Sequence, residues 1–266
     1  MHNKEDIRAF IRSKYSDIAL RGANGSGCSC NSSCCGETYF DVKQVSMSVG
    51  YSKDDLTKVP AEANMGLGCG NPVAIAGLKA GETVLDLGSG GGFDCFLARE
   101  QVGETGYVIG VDMTPEMIKL ARKNLAESGY TNIEFRLGEI EHLPVADEAV
   151  DIIISNCVIN LSLEKEQVFK EVYRVLKPNG RLSISDVVAT AELPEDIKKS
   201  LTMMAGCVAG AEFMEDIEAM LKNAGFTDIQ MTPKDNSKEI IRSWAPGEKV
   251  EDYVASFIIE AKRLGK

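Results

Sequence analysis

The chain has 266 residues, enough for one large domain or one domain with an appendage, and its 44% hydrophobic content can fill a core. Its 29 basic against 40 acidic residues leave a net charge of −11. That argues against nucleic acid or an anionic membrane surface as partner, because phosphate binding needs Lys and Arg. No apolar run approaches the ~18 residues of a transmembrane helix. The opening MHNKEDIRAF lacks the apolar core of a secretory signal, so the expected location is the cytoplasm. Thiols stay reduced there, and clustered cysteines then read as metal-binding, catalytic or redox-active rather than as structural disulfides.

In chain order, Ile7, Phe10, Ile11, Tyr15 and Ile18 recur at helical spacing and predict an amphipathic helix over residues 4–20. Residues 21–37 are rich in Gly, Ser and Asn and read as a loop carrying Cys28, Cys30, Cys34 and Cys35. From residue 83 short aliphatic runs alternate with helical stretches. The predicted strands are Thr83–Leu87, Tyr107–Val111, Ile133–Leu137, Val150–Ser155 and Gly180–Ser185; the predicted helices are Phe93–Val102, Pro115–Ser128 and Lys165–Leu176. This alternation implies an α/β fold with a doubly wound, mostly parallel sheet. Thr114 before Pro115 predicts a capped helix start, and the KPNG turn at 177–180 ends one helix and launches a strand. Beyond Asp186, residues 192–211 and 213–224 look helical, and Ile229–Thr232 reads as a strand. The C-terminal YVASFIIEAKR fits helical and alternating patterns alike. The expected organisation is an N-terminal helix and Cys-rich segment (1–60), a nucleotide-binding-type domain (61–190) and a smaller C-terminal α+β region (191–266).

The first predicted strand runs into DLGSGGGFD, with Gly88, Gly90 and Gly92 at the strand-to-helix turn, where a ligand can lie against backbone free of Cβ atoms. Asp112 ends the next strand and can accept both hydroxyls of a ribose. Phe93 stands where a dinucleotide fingerprint has its last glycine, and Asp86 opens the loop with a negative charge. Both features suit a cationic nucleoside without phosphate, S-adenosylmethionine, better than a dinucleotide. Gly138, Glu139 and Ile140 follow the third strand, where an acid and a backbone N–H can hold the adenine. Asn156 ends the fourth strand as a candidate polar contact, either to the cofactor or as a strand-end cap. With Met113 next to Asp112, the candidate cofactor set is Asp86, Gly88, Gly90, Asp112, Met113, Glu139, Ile140 and Asn156.

Three cysteines stand alone. Cys69 lies in the glycine-flanked ANMGLGCGNP, Cys157 at the carboxyl end of the fourth strand, and Cys207 among small residues in MAGCVAGA. Topology can place all three over the ligand edge of the sheet. Free cysteines are often small buried hydrophobes, and Cys95, in the helix after the glycine loop, is read that way. Thiolates select soft centres, but single dispersed cysteines do not make a zinc site, and neither His2 nor His142 stands at ligand spacing to a cysteine. Trivalent arsenic, which takes sulfurs in a pyramid and keeps a lone pair, fits better.

The motifs ANMGLGCGNP, LDLGSGGGFDCFLA, GVDMTPEMI, SNCVINL, LKPNGRLSISD, AGCVAGA and SWAPGEKVEDYV together resemble the arsenite S-adenosylmethionine methyltransferase family over about residues 50–255. The resemblance implies a class I methyltransferase fold and methyl transfer to arsenite or its thiol conjugates. It matches Cys157 and Cys207 to the arsenic-binding pair and Cys69 to a third thiol. A fourth family cysteine lies in the N-terminal segment and takes part in the redox cycle; Cys34 and Cys35 are candidates for it. The chemistry agrees: thiolate-bound arsenic is itself the nucleophile, so no general base is needed, and the protein's share is positioning. Methylation oxidises the arsenic by two electrons, which a thiol pair can return by forming a disulfide, resolved by a glutathione- or thioredoxin-type reductant. The competing expectations are a methyltransferase of an organic small molecule such as a quinone precursor, and a thiol-rich metalloid-binding protein without turnover.

Overall fold

The protein is described from a computed structural model covering residues 3–21, 41–244 and 247–265. Cys28, Cys30, Cys34 and Cys35, and with them the expectation of an N-terminal redox thiol, lie outside the described residues. Helices α1 (Lys4–Arg21), α2 (Val42–Ser48), α3 (Lys53–Lys58) and α4 (Pro72–Ile75) precede the first strand. Then follow β1 (Thr83–Leu87), α5 (Phe93–Val102), β2 (Tyr107–Asp112), α6 (Pro115–Ser128), β3 (Ile133–Leu137), β4 (Val150–Asn156), α7 (Lys165–Val175) and β5 (Leu176–Ala189). The chain closes with α8 (Glu195–Lys199), α9 (Leu201–Ala205), α10 (Met214–Ala224), β6 (Phe226–Pro233), α11 (Ser237–Trp244) and β7 (Val254–Arg263).

All strands join one 7-stranded sheet in the order β3-β2-β1-β4-β5-β7-β6. β1 to β5 pair in parallel, and β7 joins β5 and β6 antiparallel. This is the class I methyltransferase architecture. Successive strand residues point to opposite faces, so each strand feeds two cores. Leu85, Leu87, Val111 and Ile153 pack with Val168, Phe169 and Val172 of α7. Val84, Val108, Ile152 and Ile154 pack with Phe96 and Ala98 of α5 and Ile118 of α6. The near-continuous aliphatic strands are what burial on both faces demands.

Several expected boundaries shift. β5 starts at Leu176 and runs to Ala189, well past Ser185. The KPNG turn survives inside it as a bulge, because Val150 pairs with Leu176 and Ile152 with Arg181 while Asn179 takes φ 66°. Thr114 is the N-cap of α6 but its hydroxyl makes no cap bond; it is turned to Asp112 instead. The ambiguous C-terminal segment is strand β7, since its alternate residues Val254, Ser256 and Ile258 pair against β5. Residues 192–211 contain two short helices rather than one, broken at Ser200, which caps α9 through Met203 N. Among the described residues no helix is long and apolar enough to cross a membrane.

Phe169 is 1% exposed at the centre of the larger core. Phe169→Ala is expected to lower unfolding free energy by about 3–5 kcal/mol in urea titration at unchanged m-value.

Candidate active site

β1 carries Asp86 into the glycine loop, where Gly88 (φ 68°) and Gly90 (φ 52°) take left-handed backbone that a side chain would strain. The loop folds back on the end of β2: the N–H groups of Gly88 and Ser89 donate to Val111 O, and Gly90 N donates to Asp112 Oδ2 at 3.0 Å. Asp112 Oδ1 accepts Thr114 N at 2.8 Å. With the Thr114 hydroxyl also turned to it, the carboxylate keeps acceptor capacity for a ribose hydroxyl. Asp86, Gly88, Gly90, Asp112, Met113, Glu139, Ile140 and Asn156 all line one cavity of ≈ 470 Å³ at the carboxyl ends of β1, β2 and β4. Strand order reverses there, and doubly wound sheets bind ligands at that crevice.

The electrostatics of this cavity define its ligand. Asp86 and Asp94 are buried in its wall and Asp112 is half-buried there, and among the described residues none of them forms an ion pair. Burial, reinforced by Asp94, pushes the Asp86 carboxyl well above the usual carboxylate range; Cys95 Sγ donates to its Oδ2 at 3.3 Å and opposes this. Burial likewise raises Asp94 to about 6, against hydrogen bonds from Tyr51 and Asn156. Asp112 is raised by burial and drawn back by the N–H groups of Thr114 and Gly90. Carboxyls without cationic partners fit a ligand that brings its own positive charge, as the ammonium and sulfonium of S-adenosylmethionine do. Cys95, expected to be packing alone, is fully buried and also the hydrogen-bond partner of that first acid.

The lone thiols meet beside the same cavity. Cys69, Cys157 and Cys207 share one buried cluster. Cys157 and Cys207 line the cavity, while Cys69 sits behind it, fully buried. Cys69 and Cys157 are joined as a disulfide, with Cα atoms 6.0 Å apart. The thiol of Cys207 is free and donates to the Cys157 carbonyl at 2.8 Å. Three free sulfurs are therefore not presented together in this state. Within 4.8 Å of one another lie instead the ligand atoms of Cys157, Cys207 and Asp186. Burial, then the neighbouring Asp186, raises the Cys207 thiol well above its ordinary value. Cys157 (φ 56°) and Cys207 (φ 63°) both hold left-handed backbone, a conformation that costs of order 1–3 kcal/mol in non-glycine residues and clusters at functional sites.

Helix α1 roofs the cavity with Ile11, Tyr15 and Ile18. Tyr15 OH donates to Ala205 O at 3.2 Å, two residues before Cys207. Arg12 pairs with Glu139 at 3.1 Å, and Arg8 with Glu164 at 2.6 Å and Glu141 at 3.5 Å. Glu139, expected at the adenine, is thus also the anchor of the roof. Sequence reasoning did not single out Tyr51, Asp94 or Asp186, and it predicted this helix without its place over the cavity. Asp94 and Asp186 left a signal, each an acid inside an apolar run (FDCFLA and SISDVV); the roof left none, because its partners are remote in the chain.

A family model described as a methyltransferase domain matches residues 78–237. An arsenite methyltransferase of Halobacterium salinarum is 50% identical over 271 residues, 97% of this chain and 67% of its own length. An arsenite methyltransferase of Aquipseudomonas alcaligenes is 41% identical over 206 residues, 75% of this chain and 58% of its own. The crystal structure of an arsenic (III) S-adenosylmethionine methyltransferase from Chlamydomonas reinhardtii superimposes with TM-score 0.60 at 34% identity, covering 85% of this chain and 73% of that one. Fold and acid-lined cavity define an S-adenosylmethionine-dependent methyltransferase. Within that class, the chain belongs to the arsenite methyltransferase family. It spans about two thirds of the archaeal relative's length and less of the bacterial one's.

The carboxyls make a pH prediction. Asp94, raised to about 6, takes up a proton as pH falls through that value, and Asp86, also raised by burial, protonates above the usual carboxylate range; both then lose their attraction for a cation. Affinity for S-adenosylmethionine is expected to weaken by roughly tenfold or more between about pH 8 and pH 5, with Asp94→Asn flattening the profile. Calorimetric titration at several pH values checks this; a flat profile would refute it.

Proposed function

We propose that the protein methylates trivalent arsenic held by cysteine thiolates. The observation that carries this reading is the placement of Cys157 and Cys207, both on strained backbone, on the wall of the cofactor cavity, with the Cys207 sulfur 2.8 Å from the Cys157 carbonyl. The substrate class is arsenite or its thiol conjugates. As arsenic exchanges onto the two sulfurs their protons leave, and burial of the raised Cys207 thiol makes that exchange, rather than a free thiolate, the state the site favours. S-adenosylmethionine supplies an electrophilic methyl group as a sulfonium. Bound arsenic keeps a lone pair and is the nucleophile, so no side chain has to remove a proton, which agrees with a cavity lined by no histidine among the described residues.

The protein's own part is to hold both reactants in one cavity, an effect worth on the order of 7–11 kcal/mol at most. Transfer of a methyl cation raises the formal oxidation state of arsenic by two. Attack of the Cys69 sulfur on the arsenic-bound Cys157 sulfur forms the disulfide, breaks the As–S bond with its electron pair left on arsenic, which becomes trivalent again, and frees the one proton of Cys69; an external dithiol or two glutathione-type thiols then reopen the disulfide. That these two sulfurs stand bonded supports this assignment of the pair. Cys34 and Cys35 are proposed, with the rest of the N-terminal cysteines, as the thiols that pass electrons from the reductant inward. The cytoplasm, where such reductants are abundant, is the proposed location.

Incubation with arsenite, a thiol and labelled S-adenosylmethionine is expected to yield labelled methylarsenicals, with Cys157→Ser or Cys207→Ser lowering the rate by at least about a hundredfold. Absence of any labelled arsenical from the wild-type protein overturns the reading. Trp244 lines the cavity and packs against the thiol cluster, so its fluorescence is expected to respond to As(III) and to lose that response in the same variants.

A further inference from the structure

Asn156 ends β4 with its side-chain amide wholly occupied. Its oxygen accepts Cys69 N at 3.0 Å and Gly70 N at 3.3 Å; its nitrogen donates to Gly70 O at 2.8 Å and to Tyr51 OH at 3.0 Å, with a longer contact to Asp94 Oδ2 at 3.5 Å. An amide has two donor hydrogens and two acceptor lone pairs, so these partners account for its capacity and leave none for a ligand. Tyr51 passes the connection on, its hydroxyl donating to Asp94 Oδ1 at 2.6 Å. Asp94 stands in the first turn of α5, the helix that continues the glycine loop. An unbroken hydrogen-bonded chain therefore runs from the cofactor loop through Asp94, Tyr51 and Asn156 to the backbone of Cys69. Asn156 is also the covalent neighbour of Cys157.

The segment Gly68–Cys69–Gly70 is seated by close contact on both flanks. A Cβ at Gly68 would lie 2.6 Å from the Asn156 amide nitrogen, and one at Gly70 would overlap Ser185 Oγ. Beyond Cys69 its carbonyl is fixed by Ser256 Oγ at 3.0 Å and Lys234 Nζ at 3.1 Å. Of the groups that hold this segment, Asn156 is the one that also reaches the cofactor cavity, and Tyr51, Gly68, Asp94 and Asn156 all line it.

We infer that Asn156 is a positioning residue through which cofactor occupancy and closure of the Cys69–Cys157 pair are thermodynamically coupled. A cationic amino group arriving beside Asp86 and Asp94 competes with Tyr51 for the Asp94 carboxylate. Tyr51 then loosens its hold on Asn156, and the Cys69 segment loses the seat that keeps it against Cys157. The occupied protein keeps the pair open as thiols; the closed pair weakens cofactor binding by the same factor, as linkage requires. In turnover this couples oxidation of the pair to release of the spent cofactor. The inference uses the proposed arsenic chemistry for that consequence alone, and the coupling is measurable without arsenic.

The test equilibrates the full chain with mixtures of reduced and oxidised glutathione, in which the dithiol and one oxidised glutathione give the disulfide and two reduced glutathiones. Saturating S-adenosylhomocysteine, which carries the amino group but no transferable methyl, is present or absent. Acid quench, alkylation after denaturation and peptide mass spectrometry then read the disulfide fraction at Cys69 and Cys157. In the wild type the ligand is expected to lower the closure constant by about fivefold or more, the usual lower range of such couplings. In Tyr51→Phe and Asn156→Ser that factor is expected to fall to about one, at ligand concentrations set to saturate each reduced variant. Tyr51→Phe keeps the ring packed on Phe93 at 4.7 Å and decides the matter if Asn156→Ser does not fold. No ligand effect in the wild type, an equal effect in Tyr51→Phe, or loss of ligand binding in the reduced variants each overturns the inference. None of these results bears on whether arsenic is methylated, so the two readings fail separately.

Discussion

Parallel pairing of β1 with both β2 and β4 is the constraint from which the site follows. The chain leaves β1 to wind one way through β2 and β3, then crosses to β4 and winds the other way. The two crossovers cover opposite faces and leave a crevice at the carboxyl ends. Register puts Leu87 level with Val111 and Ser155, and Asn156 level with Ser185. The residues just beyond those positions, the glycine loop, Asp112, Cys157 and Asp186, therefore converge without any local sequence relation. Helix α1 and the Gly68–Cys69–Gly70 segment close this crevice from above and from the side.

The acids of the cavity so formed have no ion-pair partner in its wall among the described residues. Arg8 and Arg12 on the roof are consumed by Glu139, Glu141 and Glu164, and Lys14, which also lines the cavity, acts on Cys207. Asp86, Asp94 and Asp112 are left with hydrogen bonds but no counter-charge. Burying carboxyls in that way opposes folding unless they are protonated or a cation arrives. The protein keeps its acids uncomfortable for a ligand that relieves them, and the roof is attached by ion pairs half open to water, weak enough to release.

Both cavity-lining cysteines stand on left-handed backbone. Cys157 and Cys207 adopt backbone that glycine would accept more readily. They are held there by surrounding bonds: Cys157 N to Ser185 O at 2.8 Å, Cys207 N to Met204 O at 3.1 Å, and the Cys207 thiol to the Cys157 carbonyl. A cavity-facing sulfur at each of these turns is what a glycine would forfeit.

Much of this could be read in the chain. The glycine loop, Asp112 at the end of β2 and the alternation of strands with helices are local patterns, set by backbone freedom at glycine and by the periods of strand and helix, and they stand where they were expected. Cys69, Cys157 and Cys207 were legible as a set through their settings, yet their division was not: Cys69 is withdrawn behind the wall and bonded to Cys157, and Asp186 takes the place nearest the other two. The full use of the Asn156 amide, the Tyr51–Asp94 link, the strand at Val254–Arg263 and the roof by α1 depend on partners tens to more than a hundred residues away. The sequence by itself determined which elements form and which chemistry they carry, because propensity, periodicity and side-chain type act within a few residues. Only the tertiary structure decided which thiols face the ligand, which acids lack a counter-charge and which amide joins the two, because those depend on the register of a sheet whose neighbouring strands are not neighbours in the chain.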